Sequence, residues 1–351
     1  MRRYLVVCVV SLVGLGGAAA PVLAQATGSA EASAAAHVNP KWAVPRLASG
    51  QPDLEGIWTT DDMRAVPMSR PPQFGTRRHL TNAEFAERAR ERAKAREVDD
   101  ARTGTFRNEE GTRDFGYTSM VIDPPDGRVP AVTAEARTRL APRGTSGVGP
   151  FNGIDDFSLW DRCITRGLVG SWLPVVYGNG TRIMQTADSV ILVHEMVHEA
   201  RVIPLDGRPH VGGAIRQLMG DSRGHWDGNT LVIETTNFGD RTSAPGAGGI
   251  RHSDALKITE RITRIDPEML EFEARIDDPK TYSAPWTFRM TLTHQPGYQM
   301  YEYGCHEGNH SVANSLSGER VYEQQAAENA KKGLPPPERV FEKVNGDDRG
   351  R

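Results

Sequence analysis

Apolar and polar positions alternate with a period of two through most of the second half of the chain. Leu256, Ile258 and Ile262 share one face with Glu260 among them. After Asp266-Pro267 the pattern returns through Leu270, Phe272, Ala274 and Ile276. Trp286, Phe288, Met290 and Leu292 then alternate with Thr287, Arg289, Thr291 and Thr293, and His294 closes the run. Successive strand side chains point to opposite faces, so each segment predicts a β-strand with one buried side. From Thr181 onward the chain predicts a β-meander, in which the dense β-branched run from Ser189 to Ile203 reads as strand. Asp227-Gly228 predicts a tight hairpin after Trp226, because Gly supplies the positive φ that such a turn needs. Gln299 to Cys305 predicts one more strand.

Seven or eight strands with one apolar face each need a second layer. The expected fold is mainly β, an antiparallel meander closing as a lipocalin-like barrel, because closure covers the apolar faces and removes exposed edges. A β-sandwich is the alternative. Helices are peripheral. Thr81 to Asp100 opens on a capping box, Thr81 with Glu84, and carries a thin apolar face of Phe85, Ala89 and Ala93. Thr133 to Leu140 and Asp155 to Cys163 predict short helices, and Ser317 to Lys332 a terminal one closed by Gly333. One globular domain results: a signal peptide at 1–26, an irregular and helical wrapping segment at 27–180, the barrel core at 181–316, and a terminal helix and tail at 317–351.

The signal peptide is expected from Arg2 and Arg3, an apolar run from Leu5 to Ala20, and small residues before Ala26. That run is too short to predict a membrane span. Removal of the segment takes away two arginines and no acids, moving the formal charge from −3 to −5. A mildly acidic chain without a basic stripe predicts no nucleic-acid or membrane partner. Export to the periplasm or beyond predicts that Cys163 and Cys305, the two cysteines left, form a disulfide.

His194-Glu195-Met196-Val197-His198 matches the zinc-hydrolase pattern H-E-x-x-H, which works only on a helix, where both imidazoles reach one metal. The surrounding β-branched residues predict a strand, which would hold His194 and His198 roughly 13 Å apart. A third ligand is also missing, since Arg201 and Pro204 stand where the extended motif needs Gly and His. No metal site is predicted. No glycine-rich phosphate loop joins a strand to a helix and no Gly-x-Ser-x-Gly elbow occurs, so no cofactor is predicted.

Several phrases resemble those of a large family of exported bacterial proteins. They are QPDLEGIW at Gln51–Trp58, IDPPDGRV at Ile122–Val129, RVIPLDGRPH at Arg201–His210, MGDSRGHWDGNTLVIETTNF at Met219–Phe238, and YEYGCHEGN at Tyr301–Asn309. They span most of the chain beyond residue 26. The resemblance implies export and supplies no catalytic residues; its pattern lacks His194, which also weighs against zinc.

Chemistry is expected from two sets of residues. Glu260 lies on an otherwise apolar face and His294 ends another. A carboxylate directed into the interior is desolvated and suits general acid or base work, unless an arginine pairs it structurally. The second set crowds the strand ends: Glu195, His198 and His306 as further acid–base candidates, with Arg201, Asp221, Arg223 and Glu307 as substrate-binding groups. Convergence at a barrel mouth would make a small-molecule site; otherwise these residues fix turns and inter-loop ion pairs. The sequence thus predicts an exported, cofactor-independent lyase, isomerase or hydrolase acting on a small organic molecule. A lipocalin-like binding protein without catalysis is the alternative, and a zinc hydrolase the third.

Overall fold

A computed structural model describes residues 42–103, 111, 113–139, 149–175, 177–242, 250–295 and 297–339. The expected signal peptide and the end of the tail lie outside these residues. Among the described residues ten strands form one antiparallel sheet: β1 (Gly56–Thr59), β2 (Val121–Asp123), β3 (Gly180–Gln185), β4 (Ser189–His194), β5 (Ala200–Pro204), β6 (Asp221–Asp227), β7 (Thr230–Thr236), β8 (Lys257–Asp266), β9 (Met269–Asp277) and β10 (Trp286–Thr293). Among the same residues two α-helices accompany it, α1 (Asn82–Thr103) and α2 (Ser311–Lys331). Neither is long and apolar enough to cross a membrane.

The order across the sheet is β5-β4-β3-β1-β10-β9-β8-β7-β6. Two local meanders, β3 to β5 and β6 to β10, are joined by β1, which pairs β3 along its length and meets β10 at Thr59 and Thr293. Farther along the same side of β10, Phe288 and Thr287 pair with Val121 and Asp123 of β2. The stretch expected to wrap the sheet therefore also supplies two of its strands.

The sheet curls until its two ends share one core. Ile203 of β5, Ile233 of β7, Ile258 and Ile262 of β8, Phe272 of β9 and Trp58 of β1 all belong to a single buried cluster. The hydrogen-bonded ladder does not close, so the expected barrel is corrected to an open, strongly curled sheet. Pro204 ends β5 without an N–H to donate, and the next amide, Leu205, bonds back to Asp188 O at 2.8 Å. Side chains fill the seam instead. A Cβ on Gly224 of β6 would stand 2.8 Å from both the Ile203 and Leu205 side chains, so a larger residue here would displace them.

Other expectations change as well. Residues 299–305 form no strand, because Cys305 is tied to Cys163 and the Tyr301 amide bonds to Glu195 at 3.1 Å. The two short helices of the wrapping segment reduce to 3₁₀ turns at Ala136–Thr138 and Ile154–Asp156; Leu140 lies outside the described residues. The terminal helix starts earlier, at Ser311. At α1 the capping box is present: Thr81 N donates to Glu84 at 2.8 Å and Glu84 N to Thr81 Oγ1 at 3.3 Å.

Candidate functional site

The residues singled out in the sequence fall into separate neighbourhoods. Glu260 is fully buried on β8, facing the interior as its register predicts. Its carboxylate accepts two bonds from Arg201 of β5, at 2.7 and 3.0 Å, and one from Trp172 Nε1 at 2.8 Å. Arg201 is 8% exposed, so both charges are out of water. The pair ties the edge strand β5 to β8 across the buried interior. Structural pairing accounts for Glu260, whose oxygens are engaged by groups belonging to the core.

Asp221 and Arg223 form a second neighbourhood, 3.0 Å apart, with His210 Nδ1 2.9 Å from Asp221 and the Val211 amide at 3.0 Å. These bonds fix the strand's approach to the 206–220 segment. Buried Glu195 accepts bonds from the Tyr298 hydroxyl and the Tyr301 amide. His198, His306 and Glu307 are exposed. His294 is exposed too, its Nδ1 3.1 Å from Ile57 O. The expected convergence of these groups at a barrel mouth is not found.

H-E-x-x-H occupies neither a helix nor a single strand. β4 ends at His194, a 3₁₀ turn covers Met196–His198, and β5 returns from Ala200. His194 points inward, 3% exposed, with Nδ1 2.9 Å from Thr181 Oγ1 and its ring edge-on to Trp172 at 4.9 Å. His198 sits in the turn at φ 41° and faces solvent. Burial, reinforced by the charges of Arg201 and Arg166, pushes His194 down to about 3, so it is neutral at ordinary pH. Among the described residues no group of three or more His, Cys, Asp or Glu stands in ligating positions.

A cavity of about 210 Å³ lies on the loop from Ser158 to Leu173. The loop is anchored at two places. Leu168, Val169 and Trp172 insert into the core, and Cys163 is bonded to Cys305 with Cα atoms 5.8 Å apart. Between the anchors the backbone turns tightly: Cys163 N donates to Trp160 O at 2.8 Å and Ser171 N to Gly167 O at 3.0 Å. A Cβ at Gly170 would lie 2.1 Å from Arg166 O, so this wall requires glycine.

Five polar side chains line the cavity: Ser158, Thr165, Arg166, Arg241 and Thr242. Leu159 and Trp160 supply its apolar surface. The Arg166 guanidinium lies 5.0 Å from the Trp160 ring and donates to Leu173 O at 3.2 Å. Burial lowers Arg166 to about 10, with the Glu199 carboxylate opposing the shift, so it stays charged at neutral pH. Arg241 is exposed at the rim. Behind the wall, Glu199 accepts from Thr165 Oγ1 at 2.8 Å and from Ser171 Oγ at 3.0 Å. Burial raises Glu199, while these hydroxyls and the charges of Arg201 and Arg166 oppose the rise. Cavity, Glu199 and the Arg201–Glu260 pair therefore lie one behind the other.

No family model matches the chain. No curated protein matches it either. Among solved structures it is similar to a secretary abundant heat soluble (SAHS) protein from Ramazzottius varieornatus, 14% identical over 44% of this chain and 99% of that one, with a TM-score of 0.23. Similarity at that level supports no inference about function.

Arg166, Arg241, Thr165, Thr242 and Ser158 were not among the sequence candidates. Each sits in a segment without periodicity, where nothing local distinguishes a cavity-lining arginine from a solvated one. The nearest signal was the pair of cysteines, one of which lies inside the cavity loop.

Proposed function

We propose that this is an exported binding protein that holds a small organic anion in the cavity between Arg166 and Arg241. The observation that carries the reading is chemical. Two guanidiniums, Arg166 and Arg241, line one concave wall, and no carboxylate is among its described lining residues. Guanidinium presents donors in a planar fork that matches a carboxylate or related oxyanion. Size sets a bound: a cavity of about 150 Å³ takes up benzene, so this one suits roughly a single ring with an acidic substituent. Export is supported by the amino-terminal pattern, by the family phrases and by the paired cysteines. Acid–base catalysis at Glu260 finds no support, since Arg201 and Trp172 occupy that carboxylate.

Isothermal titration of the full chain with benzoate, 4-hydroxybenzoate and the uncharged benzamide tests the reading. The acids bind and the amide does not. Arg241→Gln weakens binding about tenfold or more, the loss of one charge-assisted contact, and Arg166→Gln does so at least as strongly. Arg241 is exposed, so its variant folds normally. Equal affinity for acid and amide, or no effect of Arg241→Gln, overturns the proposal.

A further inference from the structure

One hydroxyl on the cavity wall has a partner that changes what it can do. Thr242 Oγ1 is hydrogen-bonded to Nε2 of His252, and His252 Nδ1 lies 2.9 Å from the carbonyl oxygen of Ser253. A carbonyl only accepts, so Nδ1 carries the ring proton, Nε2 is the acceptor, and the Thr242 hydroxyl donates to it. The ring is 2% exposed and packs edge-on to Phe238 at 5.6 Å. Ser253 is fixed in turn. Its amide and hydroxyl both donate to buried Asp278, at 2.8 and 2.5 Å, and Thr281 donates to the same carboxylate at 2.5 Å. Burial holds His252 below the usual imidazole range, in its basic form at neutral pH.

A hydroxyl, an imidazole that accepts its proton, and a rigid acceptor that orients the imidazole make up an activated nucleophile. Here a backbone carbonyl stands where other such sites use a carboxylate. We propose that Thr242 is an acyl-accepting nucleophile acting on small anionic esters bound in this cavity. The proposal rests on the anion-binding reading above. Thr242 Oγ1 bonds to the ester carbonyl carbon while its proton passes to His252 Nε2. The carbon–oxygen bond to the alcohol then breaks, and the alcohol leaves with that proton. The oxygen of a water molecule then bonds to the acyl carbon while its proton passes to Nε2, the bond from that carbon to Thr242 Oγ1 breaks, and Nε2 returns the proton to Oγ1 as the carboxylic acid leaves. The lining guanidiniums of Arg166 and Arg241 are the cationic groups that match the substrate's own anionic group.

The test uses the full chain with 4-acetoxybenzoate, a ring-sized anionic ester. Release of 4-hydroxybenzoate is followed by absorbance, and the acid-quenched protein is mapped by mass spectrometry. Wild type releases 4-hydroxybenzoate faster than buffer, with acetyl found on the Thr242 peptide or turned over. Thr242→Val, nearly isosteric, abolishes both. Thr242→Ser keeps the hydroxyl and retains them. His252→Gln slows release by about 10²-fold or more, as loss of a general base does. Melting curves establish that each variant is folded, and the serine variant separates chemistry from packing. If the ester binds by calorimetry yet release and labelling match buffer or Thr242→Val, the nucleophile is overturned and the binding site stands. If the ester does not bind at all, both readings fall.

Discussion

Replacing Glu260 by glutamine removes one charge from a pair that is otherwise sealed from water. Glu260 is 0% and Arg201 8% exposed, and Arg201 makes two bonds to it. Glutamine keeps the volume and an acceptor for Trp172 Nε1, but it leaves the guanidinium uncompensated. Breaking a buried pair on one side costs about 3–5 kcal/mol. At about 2–4 °C per kcal/mol for a large domain, the Tm falls by roughly 6–20 °C. Arg201→Met alone strands the carboxylate and costs a similar amount. The double variant, Arg201→Met with Glu260→Gln, removes both charges and recovers most of the loss, since an apolar or neutral replacement of a whole pair is often close to neutral. Urea denaturation of the four proteins gives the coupling free energy directly. A Glu260→Gln protein within about 0.5 kcal/mol of wild type, the range of ordinary surface changes, would refute the claim that this buried pair ties β5 to β8. So would a double variant no more stable than either single.

Reduction of Cys163–Cys305, separated by 142 residues in sequence, releases a long loop in the unfolded chain and costs about 5 kcal/mol in the chain-entropy model; non-reducing peptide mapping and melting with and without reductant check this. Because the disulfide anchors the cavity loop, reduction also weakens benzoate binding, read by titration of the reduced, still-folded protein. His194 has a folded pKa of about 3, below its unfolded value, so the unfolded state takes up its proton first and stability falls as pH drops from about 6.5 towards 3. Between pH 6.5 and 5 wild type loses about 1.5 kcal/mol more than His194→Gln, measured by urea denaturation at the two pH values; equal losses would refute the assignment. Thr81→Ala removes the α1 capping box and lowers helix stability by about 0.5–2 kcal/mol, visible as faster amide exchange in the first turn of α1.

The strands of the second meander were legible because each buries one face against a common core. Glu260 could be assigned to the interior from Ile258 and Ile262 alone. Its partner could not, since Arg201 reaches it from a strand at the far edge of the sheet and no local pattern encodes that closure. The hairpin at Met196–His198 was hidden by its composition. Val197 is β-branched yet holds φ 63°, a conformation such residues rarely adopt, so the run from Ser189 to Ile203 reads as continuous strand. Residues 299–305 likewise read as a strand, where a disulfide and the Glu195 carboxylate dictate the path instead. The cavity was illegible for a plainer reason. Its arginines and hydroxyls come from turns separated in sequence by about seventy-five residues, and only the curled sheet brings them to one wall.

The position of β1 bears on how the chain is made. It is the first strand to be synthesised, and it ends up between β3 and β10, joining two meanders that each pair locally. Contacts between Thr59 and Thr293 cannot form until nearly the whole chain has emerged. The hairpins at either side can assemble early, whereas the centre of the sheet waits for the earliest and latest of the described strands to meet, a pairing slowed by its long sequence separation. Once β3 has paired with β1, the free side of β1 stays an unpaired edge until β10 arrives, the state most open to pairing with another chain. A translocation route that delivers the chain extended and completes it on the far side would therefore bring β1 and β10 together in the compartment where Cys163 and Cys305 can also be oxidised.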